Sequence, residues 1–577
     1  MRYLVLCCDY DGTIAQGGRV DEPTVAALEK LRESGRKLIL VTGREMDDLR
    51  RVTTRLDLFE RIVAENGALI HHPASAQEQV LAERPPQAFV DALIARNVQP
   101  ISIGRAIVAT WQPHENTVLE VIRDLGLELQ VIFNKGAVMV LPSGVTKASG
   151  LIAALREVGI SPHNAVGVGD AENDHAFLSV CECSAAVANA LPSLKERADI
   201  VLQADHGAGV AQLIDEIVES DLVRREPALV RHHIPLGADA HGEKLGLSPY
   251  STSLLIVGSS GGGKSTVASG LIERLGERGY TFCIVDPEGD YDTMPGAVVL
   301  GSPTYAPPID ECMQLIATPG QNAVINLLGV PLGERPWFFL EFFNRLRKLR
   351  AHTGQPHWLV VDEAHHVLPA DWQPGKEELP ERLEGIVMVS VTPASIAVPV
   401  LRALDTVLIL GEEPGKKLRE FQAGIDGTIR QQMPSALEAG TAIQWRRSAP
   451  ERMQQVALEP SRAQHRRHLR KYAEGELPED RSFYFRGPQG KLNLRAHNLI
   501  MFLDLADGVD DETWHFHLER GDVSQWVRNG IKDEALAEKI RQIEHKAPGP
   551  LSSRKEIRQV IEATYTLPAQ AGGEPSS

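Results

Sequence analysis

Leu254–Thr266 reads LLIVGSSGGGKST, an apolar run that breaks into a glycine loop and then into residues suited to start a helix. The order is strand, loop, helix, and it sets Gly258, Gly263, Lys264 and Ser265 at P-loop spacing. Glycines let successive backbone N–H groups turn towards one point, and the helix start adds the positive end of its dipole. Lys264 then reaches the outer phosphates of ATP, the Ser265 hydroxyl suits Mg²⁺, and Gly261 and Thr266 complete the expected contact set. A flexible linker is excluded, because glycine-serine linkers do not follow an apolar strand and end in Lys-Ser-Thr.

The 577 residues exceed what one core organises, and at roughly 100–200 residues per domain they suggest three or four domains, of which three are expected. A net charge of −17 argues against a surface broadly built for nucleic acid, so any such contact must be local. Six cysteines are too few for a disulfide scaffold and form no zinc-like pairs of pairs. Cys181 and Cys183, on either side of Glu182, read as small buried thiols. The opening MRYLVLCCDYDG is too short for a secretory core, and the apolar stretch Ile386–Gly411 is broken by prolines, Arg402 and Asp405. A cytoplasmic protein with no membrane partner is expected.

Tyr3–Asp9 reads as a buried strand ending in DYDGT, so Asp9 and Asp11 stand at its carboxyl end. Two residues apart on a strand, they point to one side, an arrangement that is costly without a cation between them. Glu22–Gly35 reads as a helix, and Lys37–Val41 as a strand running into Thr42-Gly43-Arg44. Lys147 heads a later helix, and the strand Ala165–Val168 opens into GDAEND with Asp170, Asn173 and Asp174. Every polar cluster follows a strand, as ligand sites of open parallel sheets do.

These motifs, with ENGA at Glu65–Ala68 and VANALPSLKERAD at Val187–Asp199, resemble the haloacid dehalogenase (HAD) superfamily of phosphohydrolases, in its Cof-type branch. The resemblance implies a HAD Rossmann-like domain over 1–225 with an inserted α/β cap at about 73–141. It also implies an aspartyl-phosphate mechanism, in which Asp9 attacks phosphorus while Asp11 protonates the leaving oxygen and later activates water. Thr42 and Lys147 would hold the phosphoryl oxygens. Asp170, with Asp9 and the Asp11 carbonyl, would coordinate Mg²⁺, supported by Asn173 and by Asp174 close to the metal. The branch includes sugar-phosphate phosphatases, so a small phosphosugar-type substrate is expected. In the cap region His71, His72, Arg105, Trp111 and His114 read as surface or packing residues.

Between 226 and 455, a glycine-punctuated hairpin precedes the P-loop strand, FCIVDPEGDY ends a strand at Asp286, and Trp358–Val361 leads into Asp362-Glu363-Ala364-His365-His366. An apolar strand ending in Asp-Glu suits ATP hydrolysis, with Asp362 steadying Mg²⁺ and Glu363 polarising the attacking water. Together these motifs resemble the HerA/FtsK branch of P-loop ATPases over about residues 234–412. That resemblance implies a P-loop NTPase α/β domain and a homo-oligomer in which a neighbour supplies an arginine, Arg382 or Arg402. After the strand Gly385–Val391 the branch usually has a glutamine, where this chain has Thr392-Pro393-Ala394. His365 and His366, adjacent on a helix, are expected to point apart.

Residues 456–565 read as a small, mainly helical module, and 566–577 as a disordered tail. Arg462, Arg466, Arg467, Arg470 and Lys471, followed by Tyr472, form a basic cluster that Glu474, Glu476, Glu479 and Asp480 cancel. SFYFRG and KLNLRAHNL suggest a hairpin or a strand–helix pair, and Trp514, Phe516, Leu518, Trp526 and Ile531 a core; no ligand spacing supports a metal at His515 and His517. The expectation is a Mg²⁺-dependent phosphatase fused to an ATP-binding and hydrolysing domain. Two alternatives stand beside it: a nucleic-acid machine, either a DNA motor or an end-processing kinase/phosphatase, and a phosphatase gated by an ATP-sensing assembly domain.

Overall fold

The computed structural model describes residues 1–259, 262–373, 379–425, 433–461, 477, 481–531, 533–546 and 549–565. Gly261, the basic cluster Arg462, Arg466, Arg467, Arg470 and Lys471 with Tyr472, the acidic Glu474, Glu476, Glu479 and Asp480, and the tail 566–577 lie outside them.

The central strands of the first sheet are short runs buried on both faces, the pattern of parallel strands covered by helices. Its first strands are β1 (Val5–Cys8), β2 (Lys37–Val41), β3 (Arg61–Ala64), β4 (Leu69–His72) and β5 (Gln77–Val80). A separate antiparallel sheet follows, made of β6 (Ser102–Ile103), β7 (Val108–Trp111), β8 (Leu129–Asn134) and β9 (Ala137–Pro142). The chain then returns through β10 (Ala165–Gly169), β11 (Cys183–Ala186) and β12 (Ile200–Val201), giving the order β12-β11-β10-β1-β2-β3-β4-β5. Gln77–Val80, expected within the inserted cap, pairs antiparallel with β4 on the edge of the main sheet. The cap has its own core around Phe89, Val108, Val121 and Val140. A second small cluster, including Ala68, Ile107, Met139 and Val145, packs it to the main domain.

The second sheet has eleven strands. They are β13 (Ile234–Ala238), β14 (Lys244–Leu247), β15 (Ser253–Val257), β16 (Phe282–Asp286), β17 (Ala297–Leu300), β18 (Asn322–Asn326), β19 (Trp358–Val361), β20 (Ile386–Ser390), β21 (Thr406–Leu410), β22 (Thr441–Arg446) and β23 (Met453–Leu458). Their order is β14-β13-β23-β22-β21-β15-β20-β19-β16-β18-β17. The seven strands from β21 to β17 are parallel, and the rest form an antiparallel wing that starts with the expected β13–β14 hairpin. Strand β20 lies between the P-loop strand β15 and the Asp-Glu strand β19. Both faces are buried, one cluster centred on Phe342 and Phe421, the other on the P-loop helix and Trp358.

The C-terminal region is mainly helical, with one hairpin of β24 (Phe483–Phe485) and β25 (Leu494–Ala496). Trp514, Leu518, Trp526 and Ile531 are buried as expected, but Phe516 is not: on the helix Asp511–Glu519 the inward positions are 514, 517 and 518, so His517 takes the core place. Its Nε2 accepts the Arg486 N–H, and its Nδ1 meets Asp522 at 2.8 Å. Among the described residues no helix is long and apolar enough to cross a membrane.

Candidate active site and nucleotide site

Asp9, Thr42 and Asp170 follow the carboxyl ends of the neighbouring strands β1, β2 and β10, so parallel register alone brings them to one edge. Lys147 begins the helix Lys147–Glu157, whose start is fixed by a capping box between Thr146 and Ser149. It is completely buried, and its ammonium lies 2.5 Å from Asp9 Oδ1 and 2.6 Å from Asp174 Oδ1. Gly67 permits this: a Cβ there would stand 1.9 Å from the Thr146 carbonyl oxygen, and the residue has φ +106°.

Asp174 spends its second oxygen on the backbone, accepting the N–H groups of Asp170 and Ala171 at 2.8 and 2.9 Å. That clamp shapes the loop after β10 and aims Asp170 at Asp9. Thr13 donates to Asp9 Oδ2 at 3.2 Å, and its hydroxyl is 3.4 Å from Asp170 Oδ1. Oxygens of Asp9, Asp170 and Asp174 lie within 4.8 Å of one another, close enough to hold a metal ion. Burial, and then the Asp174 charge, push the Asp9 carboxyl up to about 7 against the pull of Lys147. For Lys147 burial works the other way, but Asp174 and Asp9 outweigh it and raise its pKa above that of an ordinary lysine.

Asp11 departs from the expected geometry. Strand β1 ends at Cys8, so the two-residue alternation does not extend to position 11. The Asp11 carboxylate turns out to a two-pronged pair with Arg44, at 2.6 and 2.7 Å, and Arg44 also holds Asp48. Only the Asp11 carbonyl faces the cluster. Thr42 is buried, with its hydroxyl accepting the Arg44 N–H at 3.1 Å, and Asn173 donates to Asn66 at 3.1 Å.

Two contributions were not read from the sequence. Lys135, in the tight turn between β8 and β9 of the cap, reaches the site and sits 2.7 Å from the Asp11 carbonyl and 2.9 Å from Asp170 Oδ2. Glu65, buried in the ENGA turn, accepts N–H groups of Arg105, Ala106 and Ile107 at 2.8, 2.7 and 3.1 Å, which ties the cap backbone to the main domain. ENGA is visible in the sequence, but its partner is about 40 residues on and shares no local pattern. Of the cap-region residues, His71 is buried, Arg105 pairs with Asp47 and Glu78, His72 with Glu157, His114 is near the Gln99 carbonyl, and Trp111 is exposed.

In the second domain Gly258 follows β15 where a Cβ would press on Leu410 at 3.2 Å, and Gly263, at φ +87°, caps the helix Lys264–Glu277. Lys264 is buried with its ammonium 3.3 Å from the Ser259 carbonyl, and Ser265 and Thr266 occupy the helix's first turn. Asp362, after β19, is buried and accepts the Glu363 N–H at 3.0 Å; burial, then Glu363, Asp286 and Asp290, hold its pKa well above the carboxylate range. Glu363 adopts the left-handed region at φ +37°, a strained backbone for a non-glycine residue. His365 and His366 do not point apart: in the short turn Ala364–His366 their rings lie 4.2 Å from each other. Burial and then His366 push His365 down to about 4, with Lys264 adding to the effect. Ser390, ending β20, is 3.3 Å from His365 Nδ1, just before Thr392-Pro393-Ala394, which stand where the HerA/FtsK resemblance leads one to expect a glutamine. Arg382 and Arg402 line one cavity with Arg447, before the start of β21 and away from the P-loop of their own chain.

A capped parallel α/β domain with a lysine-bridged carboxylate cluster defines a phosphohydrolase class, here joined to a P-loop domain. The comparisons agree. A model of haloacid dehalogenase-like hydrolases matches residues 6–104 and 120–214, and one of the helicase HerA central domain matches 244–332. The chain is 30% identical over 227 residues to phosphoglycolate phosphatase 2 of Saccharolobus solfataricus, covering 38% of this chain and 94% of that protein. It is 31% identical over 217 residues to the phosphoglycolate phosphatase of Methanothermobacter thermautotrophicus, covering 36% and 96%. The relative from Halorubrum lacusprofundi, also a phosphoglycolate phosphatase, is 29% identical over 223 residues, covering 37% and 96%. The chain belongs to the haloacid dehalogenase-like hydrolases through its first domain, a phosphatase domain fused to a HerA-like domain.

Proposed function

We propose that the first domain is a Mg²⁺-dependent phosphomonoesterase and that the second binds and hydrolyses ATP. The observation behind the first part is the buried cluster of Asp9, Asp170 and Asp174 around Lys147. Its donor set fits a hard divalent cation: carboxylate oxygens and the Asp11 carbonyl, with a lysine ammonium already drawn to the space between Asp11 and Asp170. Asp9, Asp170 and the Asp11 carbonyl would hold Mg²⁺, with Asp174 beside them. The ion supplies charge stabilisation at the phosphoryl oxygens.

Asp9 attacks phosphorus and becomes the aspartyl phosphate. Lys147 and Thr42 hold the phosphoryl oxygens, and Lys147 also keeps Asp9 oriented. Asp11 gives its proton to the leaving oxygen and then takes one from the water that cleaves the intermediate, once its carboxyl turns from Arg44 into the site. The cap excludes bulk water during this sequence.

For the substrate, 2-phosphoglycolate leads the phosphosugars. The named relatives support this choice, and so does Lys135, a cap cation placed to receive a carboxylate on the leaving group. In the second domain Lys264, Ser265 and Thr266 with the loop glycines, Gly261 included, would bind ATP and Mg²⁺; Asp362 would steady the ion and Glu363 the attacking water. We propose assembly of a homo-oligomer through this domain, with a neighbour's Arg382 or Arg402 completing the site. A role on nucleic acid is the rival reading, prompted by the HerA-like match.

The test is phosphate release with Mg²⁺ from 2-phosphoglycolate, phosphosugars, nucleotides and phosphorylated DNA ends, comparing wild type, Asp9→Asn and Lys264→Ala. The proposal expects 2-phosphoglycolate to turn over, Asp9→Asn to abolish it and Lys264→Ala to spare it. Release that ignores Asp9 refutes the mechanism, and turnover of DNA ends alone favours the nucleic-acid reading.

A further inference from the structure

The phosphatase domain meets the P-loop domain at the amino-terminal side of its sheet, remote from the carboxylate cluster. Three potential metal ligands gather there. His163 lies in the turn before β10, Glu182 directly precedes β11, and His232 belongs to the segment joining the two domains. One donor atom from each lies within 4.8 Å of the others.

The hydrogen bonds of the two imidazoles select which nitrogens face inwards. His163 Nε2 donates to the Arg278 carbonyl at 2.7 Å, and His232 Nε2 donates to the Cys181 carbonyl at 3.3 Å. A carbonyl is only an acceptor, so in each ring the proton sits on Nε2 and Nδ1 turns to Glu182. The distances from Glu182 Oε2 are 2.7 Å to His163 Nδ1 and 3.9 Å to His232 Nδ1. Histidines that ligate metals show this arrangement, one nitrogen on the ion and the other donating to a backbone carbonyl. Tyr280 adds an outer-shell donor, its hydroxyl 2.8 Å from Glu182 Oε2, while its ring stacks on His163.

We propose that His163, Glu182 and His232 form a Zn²⁺ site that fastens the phosphatase domain to the P-loop domain. Tetrahedral coordination at about 2.0–2.1 Å places ligand atoms about 3.3 Å apart. One observed separation must lengthen and the other shorten, each by about 0.6 Å. The ion would take the place of the contact between His163 Nδ1 and Glu182 Oε2. A cavity of about 410 Å³, lined by Pro162, His163, Val180, His232, Arg278 and Gly279, opens beside the two imidazoles. Two imidazoles and one carboxylate favour Zn²⁺ over Mg²⁺, which separates this site from the all-oxygen cluster around Asp9. Arg278 closes the carboxyl end of the P-loop helix and His163 precedes β10, the strand that Asp170 follows, so the site connects the supports of both reaction centres.

The experiment uses the full chain without a histidine tag, stripped by chelator and titrated with Zn²⁺ against a chromophoric competitor in excess Mg²⁺. Wild type and Asp170→Asn are expected to bind one equivalent tightly; His232→Ala and Glu182→Gln are expected to weaken it by more than about 100-fold while phosphatase activity persists. Co²⁺ in the stripped wild type is expected to give the visible absorption of a tetrahedral site, a readout that needs no variant to fold. Absence of a tight equivalent in wild type, its retention in folded His232→Ala, or its loss in Asp170→Asn would overturn the proposal.

Discussion

The Lys135 ammonium lies 2.9 Å from Asp170 Oδ2, so a side chain of the cap occupies the neighbourhood that a divalent cation needs. If the proposed ion binds there, cap position and metal binding are linked: Lys135 would yield to the ion and would then be available to the substrate. Lys135→Ala is expected to lower the Mg²⁺ concentration for half-maximal activity while raising KM for carboxylate-bearing substrates. Because Lys135 is about half exposed, about 1 kcal/mol, or about 5-fold, is the expected size of each effect. A Mg²⁺ titration at saturating substrate checks the first arm; an unchanged midpoint means that Lys135 does not compete with the ion.

Lys147 has a structural task beside its proposed catalytic one, since among the described residues it is the lysine that stands between Asp9 and Asp174, both buried. Lys147→Met leaves two buried carboxylates without their cation. The expected cost is about 3–5 kcal/mol, read as a lower unfolding midpoint of the first domain, with part of it restored by Mg²⁺. Melting curves with and without Mg²⁺ decide this, and a midpoint equal to wild type without Mg²⁺ would show that the carboxylates are satisfied elsewhere.

Much of this site was legible because strand-end motifs need only parallel register to converge. Asp9, Thr42 and Asp170 are of that kind, and Lys147 is fixed by a local capping box. Asp11 was misplaced because the alternation of a strand was extended into a turn, where a long-range partner, Arg44, decides the side chain's direction. Lys135 and the grip of Glu65 on the cap arise from pairings between distant segments, for which a single sequence has no period to read. The same holds for His163, Glu182 and His232: they are far apart in the chain, and the docking of two domains collects them. The paired rings of His365 and His366 follow from a turn where a helix was assumed.

In the second domain the roles of Lys264 and Glu363 separate experimentally. Lys264→Ala removes the ammonium proposed to hold the phosphates and is expected to abolish ATP binding, measured by calorimetry. Glu363→Gln keeps shape and hydrogen bonding and removes the proposed base. It is expected to retain ATP affinity within about 3-fold while turnover falls by about 100-fold or more. Equal loss of binding in both variants would mean that Glu363 holds the nucleotide loop rather than the water.

His357 gives the interface a dependence on pH. It is buried, its Nδ1 accepts the Thr281 N–H at 2.9 Å, and burial, with His163 and Arg350 adding to it, keeps its pKa well below the usual 6.5. A histidine held neutral in the folded protein takes up a proton only on opening, so the open state binds more protons below pH 6.5. The stability it contributes is complete above that pH and declines as pH falls towards the folded-state pKa, by up to about 1.4 kcal/mol per unit. His357→Asn retains an acceptor for Thr281 and removes the titration. Hydrogen exchange of the Thr281 amide between about pH 6 and pH 5, corrected for intrinsic rates, is expected to show the opening free energy falling in wild type and flat in His357→Asn. Parallel slopes in the two proteins would place the titrating group elsewhere in the interface.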